Sequence, residues 1–97
     1  MSGRFLLSPR ARRDFDEIWT HTEAHWGTEQ AETYIRQIGQ HLARLAANPG
    51  LGRACPEIRA GYSKYPSGSH LVFYRRVEGG IDVVRILHAR MDIGGQF

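Results

Sequence analysis

Apolar positions recur along this chain in two different rhythms. After a short apolar stretch, Arg4-Phe5-Leu6-Leu7, the pair Ser8-Pro9 has the form of a helix start. Serine caps free amides and proline is tolerated at the first helical position. Ala11, Phe15, Ile18 and Thr22 follow on one helical face, with Trp19 and Trp26 on its flank. Gly27 stops this helix and Thr28 is placed to cap the next. Ala31, Ile35, Ile38, Leu42 and Leu45 define a second amphipathic helix that ends at Asn48-Pro49-Gly50. So short a break predicts an antiparallel helical hairpin.

The rhythm changes beyond Asn48. Leu51 to Pro56 is a loop punctuated by Gly and Pro. Ile58 to Tyr65 reads as a strand weakened by Gly61, and residues 66–69 as a turn. His70–Val77 and Ile81–His88 are strong strands, rich in branched and aromatic residues, joined by a Glu78-Gly79-Gly80 turn. Regular alternation puts Ile81, Val83, Arg85 and Leu87 on one face of the last strand, and Asp82, Val84, Ile86 and His88 on the other. The second face is either a partner groove or the underside of a central strand. Residues 93–97, with Gly94-Gly95, are expected to form a loose tail. The order β-α-α-β-β-β predicts an α+β domain, a helical hairpin packed on one face of a small antiparallel sheet.

Composition sharpens this picture. At 97 residues the chain is expected to be a single domain, residues 1–97. No apolar run approaches the ~18 residues of a membrane span, and Met1 to Arg13 shows no secretion signal. The single cysteine, Cys55, excludes an intrachain disulfide framework and a multi-cysteine zinc site. The expected setting is the cytoplasm. Charge is segregated: residues 1–13 carry only bases, residues 14–32 only acids, and residues 33–64 five bases against Glu57. Twelve of the thirteen bases are Arg, which suits bidentate contact with carboxylate or phosphate, although a GC-rich genome gives the same bias.

Most catalytic constellations are missing. Neither G-x-x-x-x-G-K-[ST], G-x-G-x-x-G nor G-x-S-x-G occurs. His21 and His25 lie four apart on the first helix without the H-E-x-x-H order, so no metal or cofactor is expected. Cleavage of RNA through its 2′-hydroxyl remains as an enzymatic option. His88, His70, Tyr74, Tyr62, Lys64, Arg75 and Arg85 are the groups available for it. In a regular strand, however, Arg85 and His88 fall on opposite faces.

Several segments, taken in order, resemble the ParE toxins of the RelE/ParE superfamily. They are Ser8-Pro9-Arg10-Ala11, Asp14-Phe15-Asp16-Glu17-Ile18-Trp19, Trp26-Gly27, Asn48-Pro49-Gly50, residues 68–75 and residues 84–92. The resemblance runs from about Phe5 to Asp92. It implies the toxin of a type II toxin–antitoxin pair that inhibits DNA gyrase by binding rather than turnover. The partner it implies is a ParD-like antitoxin, in a hetero-oligomer with the toxin. The RelE branch, ribosome-dependent mRNA endonucleases that often carry a Tyr near the C-terminus, is the alternative. This chain has no Tyr after Tyr74. Under this reading Arg85, His88, Arg90, Met91 and Asp92 are the candidate target-binding residues, with no catalytic residue assigned. Trp19, Trp26 and Tyr34, beside the hairpin seam, are the candidate antitoxin anchors.

Overall fold

The computed structural model describes residues 3–97; Met1 and Ser2, the start of the expected domain, lie outside them. Strand β1 (Arg4–Leu7) leads into helix α1 (Pro9–Trp26). Ser8 caps α1 as its spacing predicted, its hydroxyl accepting from the Ala11 amide at 3.0 Å, with Pro9 in the first turn. Helix α2 (Thr28–Ala47) follows after one residue. Gly27, at φ +90°, both ends α1 and begins α2. Thr28 is therefore not the cap: it already belongs to α2, and its hydroxyl donates to Glu23 instead.

A 3-10 turn (Pro49–Leu51) leads to β2 (Arg53–Ala54), β3 (Tyr62–Ser67), β4 (His70–Val77) and β5 (Gly80–His88). The third strand starts four residues later than the sequence suggested, because residues 58–61 form a turn. Five strands make one sheet in the order β1-β5-β4-β3-β2. The two-layer α+β arrangement is the one expected. The sheet is mixed rather than antiparallel throughout, because β1 runs parallel to β5 at its edge.

The helices cover one face of the sheet. Ile38, Leu42 and Leu45 of α2 meet Val72, Tyr74, Ile81, Val83 and Ile86 there. Each fully buried aliphatic side chain contributes about 1.5–3 kcal/mol. On the opposite face a smaller cluster of Cys55, Phe73 and Leu87 is covered by Ile58, Tyr62 and Ile93. Strand β5 thus lies inside the sheet with both faces covered along much of its length, and the central-strand reading holds over the open groove.

Residues 93–97 are not a loose tail. Ile93–Gln96 form a 3-10 turn, and the Phe97 ring packs edge-on against Phe73 at 5.1 Å and Tyr62 at 6.0 Å. The glycines suggested mobility, but apolar Ile93 and Phe97 find the lower sheet face and dock the segment.

Candidate functional site

The β4–β5 ladder contains a β-bulge that sets the geometry of the last strand. Phe73 pairs with Arg85 and Tyr74 with Val83, which leaves Val84 as an extra residue on β5. Val83 and Ile86 consequently share the helix-side cluster although they are three residues apart. Strand β1 pairs only as far as Val83, so the edge of β5 beyond it faces α1.

Asp14 of α1 closes that edge. Its carboxylate accepts from Arg85 Nε at 2.8 Å, from Arg85 Nη2 at 3.0 Å and from the Ile86 amide at 2.9 Å. Arg85 Nη1 donates onward to the Gln96 carbonyl at 2.9 Å. The carboxylate bonds, ahead of any other influence, push the Arg85 guanidinium further toward its charged form. Helix, strand and C-terminal turn are joined through one buried ion pair. Asp14 was missed in the sequence, where it counted as one of an acidic block. The signal was present: 11, 14, 18 and 22 follow a helical period as well as 11, 15, 18 and 22, and it is Asp14 that is buried while Phe15 is only half-buried.

A cleft of about 700 Å³ opens between α1 and the ends of β4 and β5, bordered by Arg10, Arg13, His21, His70, His88 and Met91 among others. Arg85 lines it too: it pairs with Phe73 and His88 with His70, so the two keep opposite faces of β5 as alternation expects, and both border this cavity because Arg85 turns to Asp14 at the open strand edge. The His70 ring meets His88 at 5.3 Å, near perpendicular. Its Nδ1 lies 2.6 Å from the Tyr34 hydroxyl. Burial first, then the neighbouring His88 and His21, lowers the His70 pKa to about 4, with Asp14 opposing. His88 Nδ1 accepts from the Arg90 amide at 3.1 Å.

The structure separates the candidate target residues. Arg85 is buried and turned inward on Asp14. His88 is half-buried in the cleft; Arg90, Met91 and Asp92 are exposed on the turn that follows β5. Of the candidate anchors, Trp26 is 73% exposed at the hairpin tip and Trp19 is half-buried. Tyr34 is not a free anchor. Its hydroxyl accepts from the Ser69 amide and contacts His70, tying α2 to the β3–β4 turn. Gly68 at φ +59° permits this turn, and any Cβ there would lie 2.5 Å from the Tyr34 ring.

Several of the remaining chemical groups are engaged in structure. Tyr74, buried, donates to the Pro49 carbonyl at 2.7 Å and accepts from the Gly52 amide at 2.9 Å, pinning the loop after α2. Tyr62 packs on Phe97, and Arg75 pairs with Asp82 at 3.1 Å. His25 bonds the His21 carbonyl of its own helix. Among the described residues no group of three or more His, Cys, Asp or Glu is placed to hold a metal. None of their helices is long and apolar enough to cross a membrane.

A hairpin of helices on this five-strand mixed sheet is the fold of the RelE/ParE toxins. The P. aeruginosa chromosomal ParDE system contains a chain that superposes with a TM-score of 0.76, covering 89% of this chain and 95% of that one at 19% identity. The family model for the ParE toxin of the type II toxin-antitoxin system parDE matches residues 5–93. Toxin ParE1 of Mycobacterium tuberculosis is 55% identical over 94 residues, 96% of both chains. Toxin ParE1 of Caulobacter vibrioides is 43% identical over 88 residues, 91% of both. The chain belongs to the ParE family of type II toxin–antitoxin toxins.

Proposed function

We propose that this toxin acts in the cytoplasm by binding DNA gyrase and blocking it without turnover, and that a ParD-like antitoxin neutralises it by forming a hetero-oligomer. Membership of the ParE family supports this reading. The observation that carries it is the state of Arg85. Chemistry on a phosphodiester run from the last strand needs a cation on that strand free to meet developing charge. The buried cation of the last strand is instead committed to Asp14 and the Gln96 carbonyl.

Target contact is assigned to the exposed turn Arg90-Met91-Asp92, with His88 and Arg85 fixing its base. Antitoxin contact is assigned to the hairpin tip, where Trp26 supplies a large exposed apolar surface and Trp19 its half-buried flank. The test is conversion of relaxed plasmid to supercoiled form by gyrase, with and without toxin. Inhibition relieved by the antitoxin is expected, and weakened inhibition by an Arg90→Ala/Met91→Ala variant. Full supercoiling at excess toxin defeats the proposal.

A further inference from the structure

The exposed side of α1 carries an arrangement that neither the fold nor the proposed gyrase contact uses. His21 and His25 stand one helical turn apart, so their side chains rise from the same face. Their rings lie 4.1 Å apart, centroid to centroid, at an angle of 32°. The His25 Nδ1 is 2.8 Å from the His21 carbonyl. A carbonyl can only accept, so Nδ1 carries the proton, and Nε2 of the neutral ring holds a bare lone pair. Nε2 lies across the ring from Nδ1 and so points away from the backbone. An N–H donated to a backbone carbonyl is the support that metal-ligating imidazoles generally have, because it fixes tautomer and orientation.

The surroundings favour a cation. From Asp14 to Trp26 the chain has no Lys or Arg. Asp14 is neutralised by Arg85, and Glu23 accepts from Thr28. Asp16 and Glu17 border the same shallow concavity as the two rings, a space of about 410 Å³ that Thr20 and Ala24 also line. Neither imidazole is ion-paired with these carboxylates among the described residues. Glu17 precedes His21 by one turn and adds negative potential along the same face.

We propose that His21 and His25 chelate a divalent transition metal of the zinc class, one imidazole nitrogen from each, with water in the remaining positions. Zinc lies about 2.0–2.1 Å from an imidazole nitrogen. Both side chains are exposed, so the rings close on the ion by turning about their own bonds while the helix stays in place. The H-E-x-x-H order missing from this helix belongs to metalloproteases, where the glutamate is a general base; ligation itself uses only the histidine pair. The site is accordingly a binding site, and no catalytic step is assigned to it. Imidazole selects Zn2+, Ni2+ or Cu2+ over Mg2+ and Ca2+, which prefer oxygen. The bound ion ties together the last turns of α1, beside the exposed Trp26. A chain that never touched gyrase would still present this pair, so the site stands apart from the gyrase reading.

The test is calorimetric titration of the full chain near neutral pH, with zinc chloride and separately with magnesium chloride. One equivalent of Zn2+ is expected to bind, and Mg2+ is not. His21→Ala and His25→Ala, both at exposed positions that keep the fold, should each weaken Zn2+ about tenfold or more, because each loses the intramolecular second ligand. His70→Gln, which removes one ring of the other close imidazole pair, His70 and His88, should bind Zn2+ like the unaltered chain. Zn2+ should also raise the urea midpoint of the unaltered chain and not that of the two α1 variants, because the pair is assembled only in the folded helix. Equal Zn2+ binding by all variants, a loss in His70→Gln in place of the α1 variants, or an equal response to Mg2+ overturns the proposal. So does binding without a rise in the urea midpoint, which would mark histidines that the unfolded chain offers equally well.

Discussion

Alanine at position 14 removes one carboxylate and three hydrogen bonds, to Arg85 Nε, Arg85 Nη2 and the Ile86 amide. The two side chains of the pair are only 9% and 8% exposed, so water does not replace what is lost. A guanidinium is left buried with the Gln96 carbonyl as its remaining partner, and the β5 edge gains an orphan amide. Breaking a buried pair from one side costs about 3–5 kcal/mol. A domain of this length has roughly 5–15 kcal/mol of stability in all, so Asp14→Ala should be folded but marginal. Removing both charges is a different perturbation. In Asp14→Leu/Arg85→Met no charge is left buried: the Ile86 amide is orphaned, at about 1–3 kcal/mol, and the part-buried Gln96 carbonyl loses its Arg85 donor. Urea unfolding followed by circular dichroism gives each midpoint and slope. With the two single variants added, the cycle should show a coupling of about 2 kcal/mol or more. A loss below about 1 kcal/mol for Asp14→Ala, or additive single variants, refutes the view that this clasp joins helix, strand and C-terminal turn.

Other perturbations follow from the same contacts. Tyr74→Phe deletes both bonds that pin residues 49–52 and should cost about 1–2 kcal/mol in the same urea assay. Gly68→Ala forces a left-handed residue to carry a Cβ against the Tyr34 ring; a loss of about 1–3 kcal/mol and altered His70 resonances are expected. The His70 pKa falls from 6.5 to about 4 on folding, so the unfolded chain binds the extra proton between these values. Its contribution to stability is complete above pH 6.5 and is lost as pH falls toward 4; His70→Gln should flatten that slope in urea midpoints measured across the range.

The helices were legible because their signals are local. Ser8-Pro9 and the spacing of Ala31, Ile35, Ile38, Leu42 and Leu45 report directly on cap and buried face. Non-local pairings leave no such trace. The parallel seating of β1 beside β5 depends on where distant strands have already assembled. The extra residue at Val84 has no marker among β-branched neighbours, so regular alternation wrongly separated Val83 from Ile86, which share the helix-side cluster. Arg85 itself stood out as a site residue, but its partner Asp14 lies 71 positions away, so the buried ion pair left no trace in the local pattern. Tyr34 failed as an exposed anchor for the same reason: its partners sit on a hairpin that the helical pattern cannot see. Of the candidate residues, Arg90, Met91, Asp92 and Trp26 are exposed.

The decisive property of this fold is inhibition by occupancy. One toxin preparation should be assayed in parallel against gyrase supercoiling and against message integrity in a reconstituted translation reaction. Supercoiling that falls in proportion to bound toxin, with intact message, is the predicted result. Cleaved message, lost in His88→Ala, beside unimpaired supercoiling would contradict it.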